Sequence, residues 1–330
     1  MNIYLTFDYE LFFGDNSGSV DKCLIEPTNE LIKIAQGASI SYTFFVDVGY
    51  LIKLEEFSHH FPELKKDRVK VLEQLRQLQL AGHSLQLHIH PHWEISFYQD
   101  NKWVINANGA YKLADFDQDE IAKIVRKYKA YLDELIGEKT HIFRAGGWCI
   151  QPFSLLHGIF KELEIKIDSS VFPGGKFESE HYAFDFTKAP HKCPYNFEVD
   201  ECVEEKDGFF TEYPIASWNY SPLFYWKLYT LGRLYPADHK MIGDGNFLAQ
   251  PGRKKSVLTS YTWNHVSADG YYASKLQRIL NHKKGNKEEN MVVIGHPKSL
   301  TKYSIKKLSE FVKNNQSENN FLNLEAGEKN

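Results

Sequence analysis

The chain has 330 residues, with 39 lysines and arginines against 43 aspartates and glutamates and a formal net charge of −4. That balance carries no electrostatic footprint for nucleic acid, and 42% hydrophobic with 25% charged residues argues against a disordered chain. Four cysteines without a C-x-x-C pair argue against a zinc ribbon or disulfide scaffold. The 14 histidines and 15% aromatic residues suit flat apolar ligand surfaces and metal or acid–base chemistry. No targeting segment and no bilayer-length apolar run is visible, so the expected location is cytoplasmic, with no integral membrane segment.

Strand-like and helix-like stretches alternate through the first half. Ile3 to Phe7 reads as a strand ending at Asp8, and Thr28 as the cap of a helix running to about Gln36. Tyr42 to Val46 is a second strand. Val69, Leu72, Leu75 and Leu78 recur at helical spacing until Gly82. Leu85 to His88 alternates as a third strand, and Asp117 with Glu120 makes a capping box ahead of Ile121, Ile124 and Val125. His141 to Phe143 and Ile165 to Ile167 read as strands four and five. Strands alternating with helices imply a parallel sheet with right-handed crossovers. From Phe172 to about His265 the pattern breaks into a segment rich in Pro, Gly, Tyr, Phe and Trp, in which Phe209 to Tyr213 reads as a short strand-like piece. A loop of that length needs local structure, so 172–265 is expected to be an insertion over one end of the sheet. The alternation resumes with a strand at Met291 to Ile294 and a helix near Ser304 to Val312. One domain over residues 1–313 is therefore expected, with 314–330 as a polar, disordered tail.

The chemistry gathers at the C-terminal ends of the strands, where α/β sheets and barrels bind ligands. These ends deliver Asp8-Tyr9-Glu10, then His88 through His92 and Trp93, then Arg144 to Trp148, then Asp168, and finally His296. His88 and His92 are four apart, so on a helical turn or tight loop both imidazoles can face one cation, with a carboxylate as third ligand. His88 and His90, an H-x-H pair, form the alternative. Asp244, His181, His191 and His265 read as solvated or structural.

These motifs resemble the polysaccharide deacetylases of carbohydrate esterase family 4. Thr6-Phe7-Asp8-Tyr9-Glu10 is similar to the family's T-F-D-D, Gly82-His83 through His88 to His92 to its second motif, and Arg144-Ala145-Gly146-Gly147-Trp148 to its R-x-P-x-G. Asp168 and His296 match the fourth and fifth. The resemblance spans about residues 1–170 and 290–315. It implies a distorted (β/α)7 barrel and metal-dependent N-deacetylation of an acetamido sugar, with one divalent ion, zinc by preference, held by Glu10, His88 and His92. It implies Asp8 as general base, held ionised by bidentate bonds from Arg144, and His296 as general acid, oriented by Asp168. Tyr9, Trp93, Trp148 and Phe172 adjoin the motifs and can stack on a pyranose.

The chain departs from the family pattern at Tyr9, which replaces the second Asp, at Gly146, which replaces Pro, and in the long insertion. Residues two apart on a strand share a face, so Glu10 can take the ligand's place; Asp8 as ligand is the alternative. The expected substrate is a surface-polysaccharide or glycolipid intermediate, nucleotide- or lipid-linked. The aromatic stretch Phe224 to Tyr235 carries two cations and allows peripheral membrane contact. Two other functions compete: an amidase or deformylase of the same fold acting on a small amide, and an inactive carbohydrate-binding homologue.

Overall fold

The computed structural model describes residues 1–179, 183–249 and 252–328. Seven parallel strands form its wall among the described residues: β1 (Asn2–Tyr9), β2 (Thr43–Asp47), β3 (Ser84–Ile89), β4 (Ile142–Ala145), β5 (Ile167–Asp168), β6 (Phe210–Glu212) and β7 (Asn290–Gly295). Their order is β6-β5-β4-β3-β2-β1-β7. Parallel bridges Ile215–Val292 and Ser267–Ile294 carry the chain beyond β6 against β7. The sheet thus curls into a distorted (β/α)7 barrel.

Local signals explain much of this. The helix Gln118–Ile136 starts at the expected capping box, with the Asp117 carboxylate accepting from Glu120 N at 2.9 Å and the Glu120 carboxylate accepting from Asp117 N at 3.1 Å. Such a cap contributes about 1 kcal/mol. The helix Pro62–Leu80 buries Leu64, Val71, Leu75 and Leu78, whereas Val69 is 63% exposed. The apolar face is therefore rotated from the expected one. A preceding helix, Val48–Ser58, is short and buried on several sides, so it lacks the one-sided stripe that marks a surface helix.

Two expectations about organisation are corrected. The segment 172–265 is not wholly an insertion, because β6 lies inside it and is a barrel strand. Tyr195–Phe197 pairs antiparallel with β6. Between β5 and β6 the strands Lys176–Glu178 and Ala183–Asp185 pair antiparallel off the barrel, and beyond β6 Ser217–Tyr220 pairs antiparallel with Thr262–His265 and carries the helices Pro222–Leu234, Pro236–His239 and Arg253–Thr259 between them. The strand-like Phe209 to Tyr213 piece contains β6, and three residues are too few for their alternation to mark it as a barrel strand rather than part of an insertion. The tail is also ordered through Glu328. The helix Lys302–Asn315 is followed by Asn320–Leu322, which pairs with Asn2–Tyr4. Since β2 begins only opposite Thr6, the first residues of β1 have an open edge, and this strand fills it. Phe321 and Leu324 are buried there, and Leu324 N donates to Thr43 Oγ1 at 2.9 Å.

Candidate active site

The two-residue period of β1 turns Asp8 and Glu10 into the barrel mouth and Tyr9 outward. Tyr9 is buried, with its hydroxyl donating to Gln74 Oε1 at 2.9 Å, so the expected substrate contact is not made. β3 ends at Ile89, but the backbone stays extended through His90 (φ −110°, ψ 99°). His88 and His90 consequently share the inward face. Pro91 then opens a 3₁₀ turn over Pro91–Glu94, which carries His92 away to pack on Phe13 and Tyr111.

Glu10, His88 and His90 form the converging set, with their donor atoms within 4.8 Å of one another. Glu10 Oε2 lies 2.6 Å from His90 Nε2 and 3.2 Å from His88 Nε2. The expected ligand His92 lies outside this set, and the H-x-H pair replaces it. Asp8 is also outside it, with Oδ2 3.9 Å from His88 Nε2. The donor chemistry suits a divalent cation. His88 Nδ1 donates to the Arg144 carbonyl at 2.8 Å, which leaves the Nε2 lone pair facing Glu10. Gly146 is required beside this pair, because a Cβ there would lie 2.5 Å from His90 Nδ1. The family's proline has no room here.

Lys298, invisible to motif reasoning, lies on the turn after His296. Its buried ammonium contacts Glu10 Oε1 at 2.8 Å and donates to the Leu11 carbonyl. Burial alone pushes the Glu10 carboxyl up, but Lys298, His90 and His88 outweigh it and hold the group well below the usual range. Burial lowers His90 to about 4. At His88, burial opposes the charged form but Asp8 and Glu10 raise the imidazole overall.

Arg144 is fully buried and stacks over Phe45 at 4.0 Å. It reaches Asp8 with one bond rather than two: Nη1 donates to Asp8 Oδ1 at 2.7 Å, while Nε and Nη2 donate to the carbonyl and Oγ of Ser169 at 2.7 and 2.9 Å. Replacing Arg144 by Met would remove the one cation hydrogen-bonded to the buried Asp8 among the described residues. A loss of about 3–5 kcal/mol is expected, read as a lower denaturant midpoint with unchanged slope.

His296 lies where expected, with Nε2 3.6 Å from Asp8 Oδ2. Its partner is not the expected Asp168 but Asp269, which accepts from His296 Nδ1 at 2.7 Å and from His296 N at 2.8 Å. Burial opposes the imidazolium, yet Asp269 leads the carboxylates that raise it overall. Asp168 instead accepts from Ser170 and pairs with the buried Glu212, and burial raises both acids. Asp269 lies at the end of the segment beyond β6, on no strand, and no spacing in the sequence marks it. Asp269→Asn should lower kcat by about 10²-fold or more and move the alkaline limb of the pH–rate profile, while circular dichroism stays unchanged.

The site opens into a cleft of about 540 Å³ lined by Asp8, Glu10, His88, His90, Trp148 and His296, with Tyr225, Tyr229 and Phe247 farther out. Trp148 is therefore a cleft residue as expected, stacked on His265 at 4.8 Å between ring centres. Phe172 is buried behind it, 5.5 Å from the Trp148 ring. Trp93 is also withdrawn, with its Nε1 donating to Asp47 Oδ2 at 2.7 Å. The structure thus makes both of these supports of the wall rather than contact surfaces. His265, read as structural, lines the cleft, and Asp244 accepts from Ser19. His191 is exposed, and His181 lies outside the described residues.

No protein-family model and no curated protein matches the chain. Solved structures do. One from Mycobacterium smegmatis that bears the name polysaccharide deacetylase matches at 15% identity and TM-score 0.50, over 98% of this chain and 87% of that one. Another so named, from Pseudomonas aeruginosa PAO1, matches at 11% identity and TM-score 0.51, over 98% and 88%. A Puue allantoinase matches at 12% identity and TM-score 0.52, over 98% and 87%. At these identities the likeness is one of fold. The chain has the fold of the polysaccharide deacetylases.

Proposed function

We propose that this protein is a metal-dependent carbohydrate N-deacetylase, hydrolysing the acetamido group of an N-acetylated sugar. The observation that carries the reading is the convergence, at one cleft, of a carboxylate–imidazole donor set with an arginine-held Asp8 and a carboxylate-held His296. A divalent cation held by Glu10, His88 and His90, zinc by preference for two imidazoles and a carboxylate, would supply a Lewis acid to polarise the poorly electrophilic amide carbonyl. Lys298 restricts Glu10 to one free oxygen for that duty.

Asp8 acts as general base. Arg144 fixes its Oδ1, so Oδ2 faces the cleft to take a proton from the attacking water. His296 Nε2 lies 3.6 Å from Oδ2, so the two groups stand side by side and can act on one bound amide. Asp269 accepts from His296 Nδ1 and favours the imidazolium, so the proton on Nε2 is the one handed to the departing amine. The C–N bond then breaks, leaving acetate and the free amino sugar. Trp148 offers the ring face for the pyranose. The substrate is an intermediate of surface-polysaccharide or glycolipid synthesis, carrying a nucleotide or lipid group.

Incubation of the purified protein with defined acetamido sugars tests this. The expected result is equimolar acetate and free amine from a glycan intermediate. Release of formate or ammonia alone, from a small amide, would move the assignment to the amidase alternative, and sugar binding without turnover to the binding-protein alternative.

A further inference from the structure

The helix Pro222–Leu234 forms a wall of the cleft with one side and an exposed ridge with the other. Tyr225, Leu228 and Tyr229 line the cleft. Leu223, Trp226 and Leu234 follow a helical stripe on the outside and are 64%, 55% and 66% exposed, and Tyr235 just beyond is 58% exposed. Phe247, 56% exposed, also lines the cleft, so exposed apolar side chains stand at the cleft as well as on the outer face of its helical wall. Lone apolar residues at a surface need no explanation, but a clustered set beside a binding site does.

Charge decides what fits this ridge. Residues 214–265 hold six lysines and arginines against two aspartates, in a chain whose net charge is −4. Lys227, Arg233, Lys240, Lys254 and Lys255 are exposed, and none forms an ion pair among the described residues. A second copy meeting this face about a two-fold axis would set like charges against each other. Leucine and aromatic side chains interleaved with cations are instead the composition of an interfacial helix on anionic lipid, with tryptophan and tyrosine at headgroup level.

We propose that the outer face of the Pro222–Leu234 helix docks on an anionic lipid surface, so that the cleft receives an acetylated sugar carried by a lipid anchor. The substrate class rests on the deacetylase reading, whereas the docking surface does not. Lipid in the bilayer and ridge at the cleft mouth place the anchor where the sugar can enter without leaving the membrane.

Flotation of the purified chain with phosphatidylcholine vesicles, with and without phosphatidylglycerol, tests the docking. Salt-sensitive binding to the anionic vesicles is expected. Lys227→Glu with Arg233→Glu should weaken it by about thirtyfold or more, and Leu223→Ser with Leu234→Ser should also weaken it. Both variants should keep wild-type turnover of a water-soluble acetamido sugar while losing turnover of a lipid-linked one in vesicles. Absence of vesicle binding, or binding that both variants retain in full, would overturn the proposal. A dimer that the serine variant dissociates would overturn it in favour of a self-interface. Intact vesicle binding with no amine released from any acetamido sugar would instead refute the deacetylase reading and leave the docking surface standing.

Discussion

Asp8→Asn should lower kcat by about 10²–10⁴-fold while leaving metal content and sugar affinity near wild type. Asparagine keeps the shape and can still accept from Arg144 Nη1, but it cannot take a proton from water. The separation of effects follows from Asp8 lying outside the Glu10–His88–His90 set. Steady-state kinetics beside elemental analysis of the same preparation measures both. If the variant lost its metal and its turnover together, Asp8 would be a ligand and the assignment of the two carboxylates would be reversed.

The two candidate histidines after β3 should behave in opposite ways. His90→Ala removes a member of the converging set, and metal affinity should fall by more than the roughly 10–100-fold that losing an outer partner costs. Turnover should fall with it. His92→Leu should keep the metal, because His92 lies outside the Glu10–His88–His90 set and its ring packs against Phe13, Trp93 and Tyr111. Isothermal titration with Zn²⁺ into each metal-free variant checks the pair. Wild-type affinity in His90→Ala would contradict the site as described.

Most strand ends were legible in the sequence because a short apolar run has a polar, chemistry-bearing residue at or beside its C-terminal end. Asp8, Glu10, His88, Arg144 and His296, all marked by that pattern, lie together at one end of the barrel. Counting residues alone could not choose between His90 and His92, since that depends on where the extended backbone stops. The φ and ψ of His90 keep it on the inward face with His88. Asp269 and Lys298 were not legible for a different reason. Each meets the site through tertiary packing, with Asp269 reaching His296 across 27 residues of chain and Lys298 reaching Leu11 across 287. Tyr9 and Trp93 were misread because proximity in sequence to a motif says nothing about which face of the strand or turn a ring takes. In the same way, the polar composition after Asn314 concealed a three-residue strand that buries only alternate side chains.

The most direct test of the central claim is acetate release from an acetamido sugar by the purified protein before chelation, after chelation and after restoring a divalent ion. Turnover is expected to disappear with the metal, to return with it, and to be absent from Asp8→Asn under all three conditions. Full turnover in excess chelator, with no metal bound, would contradict it.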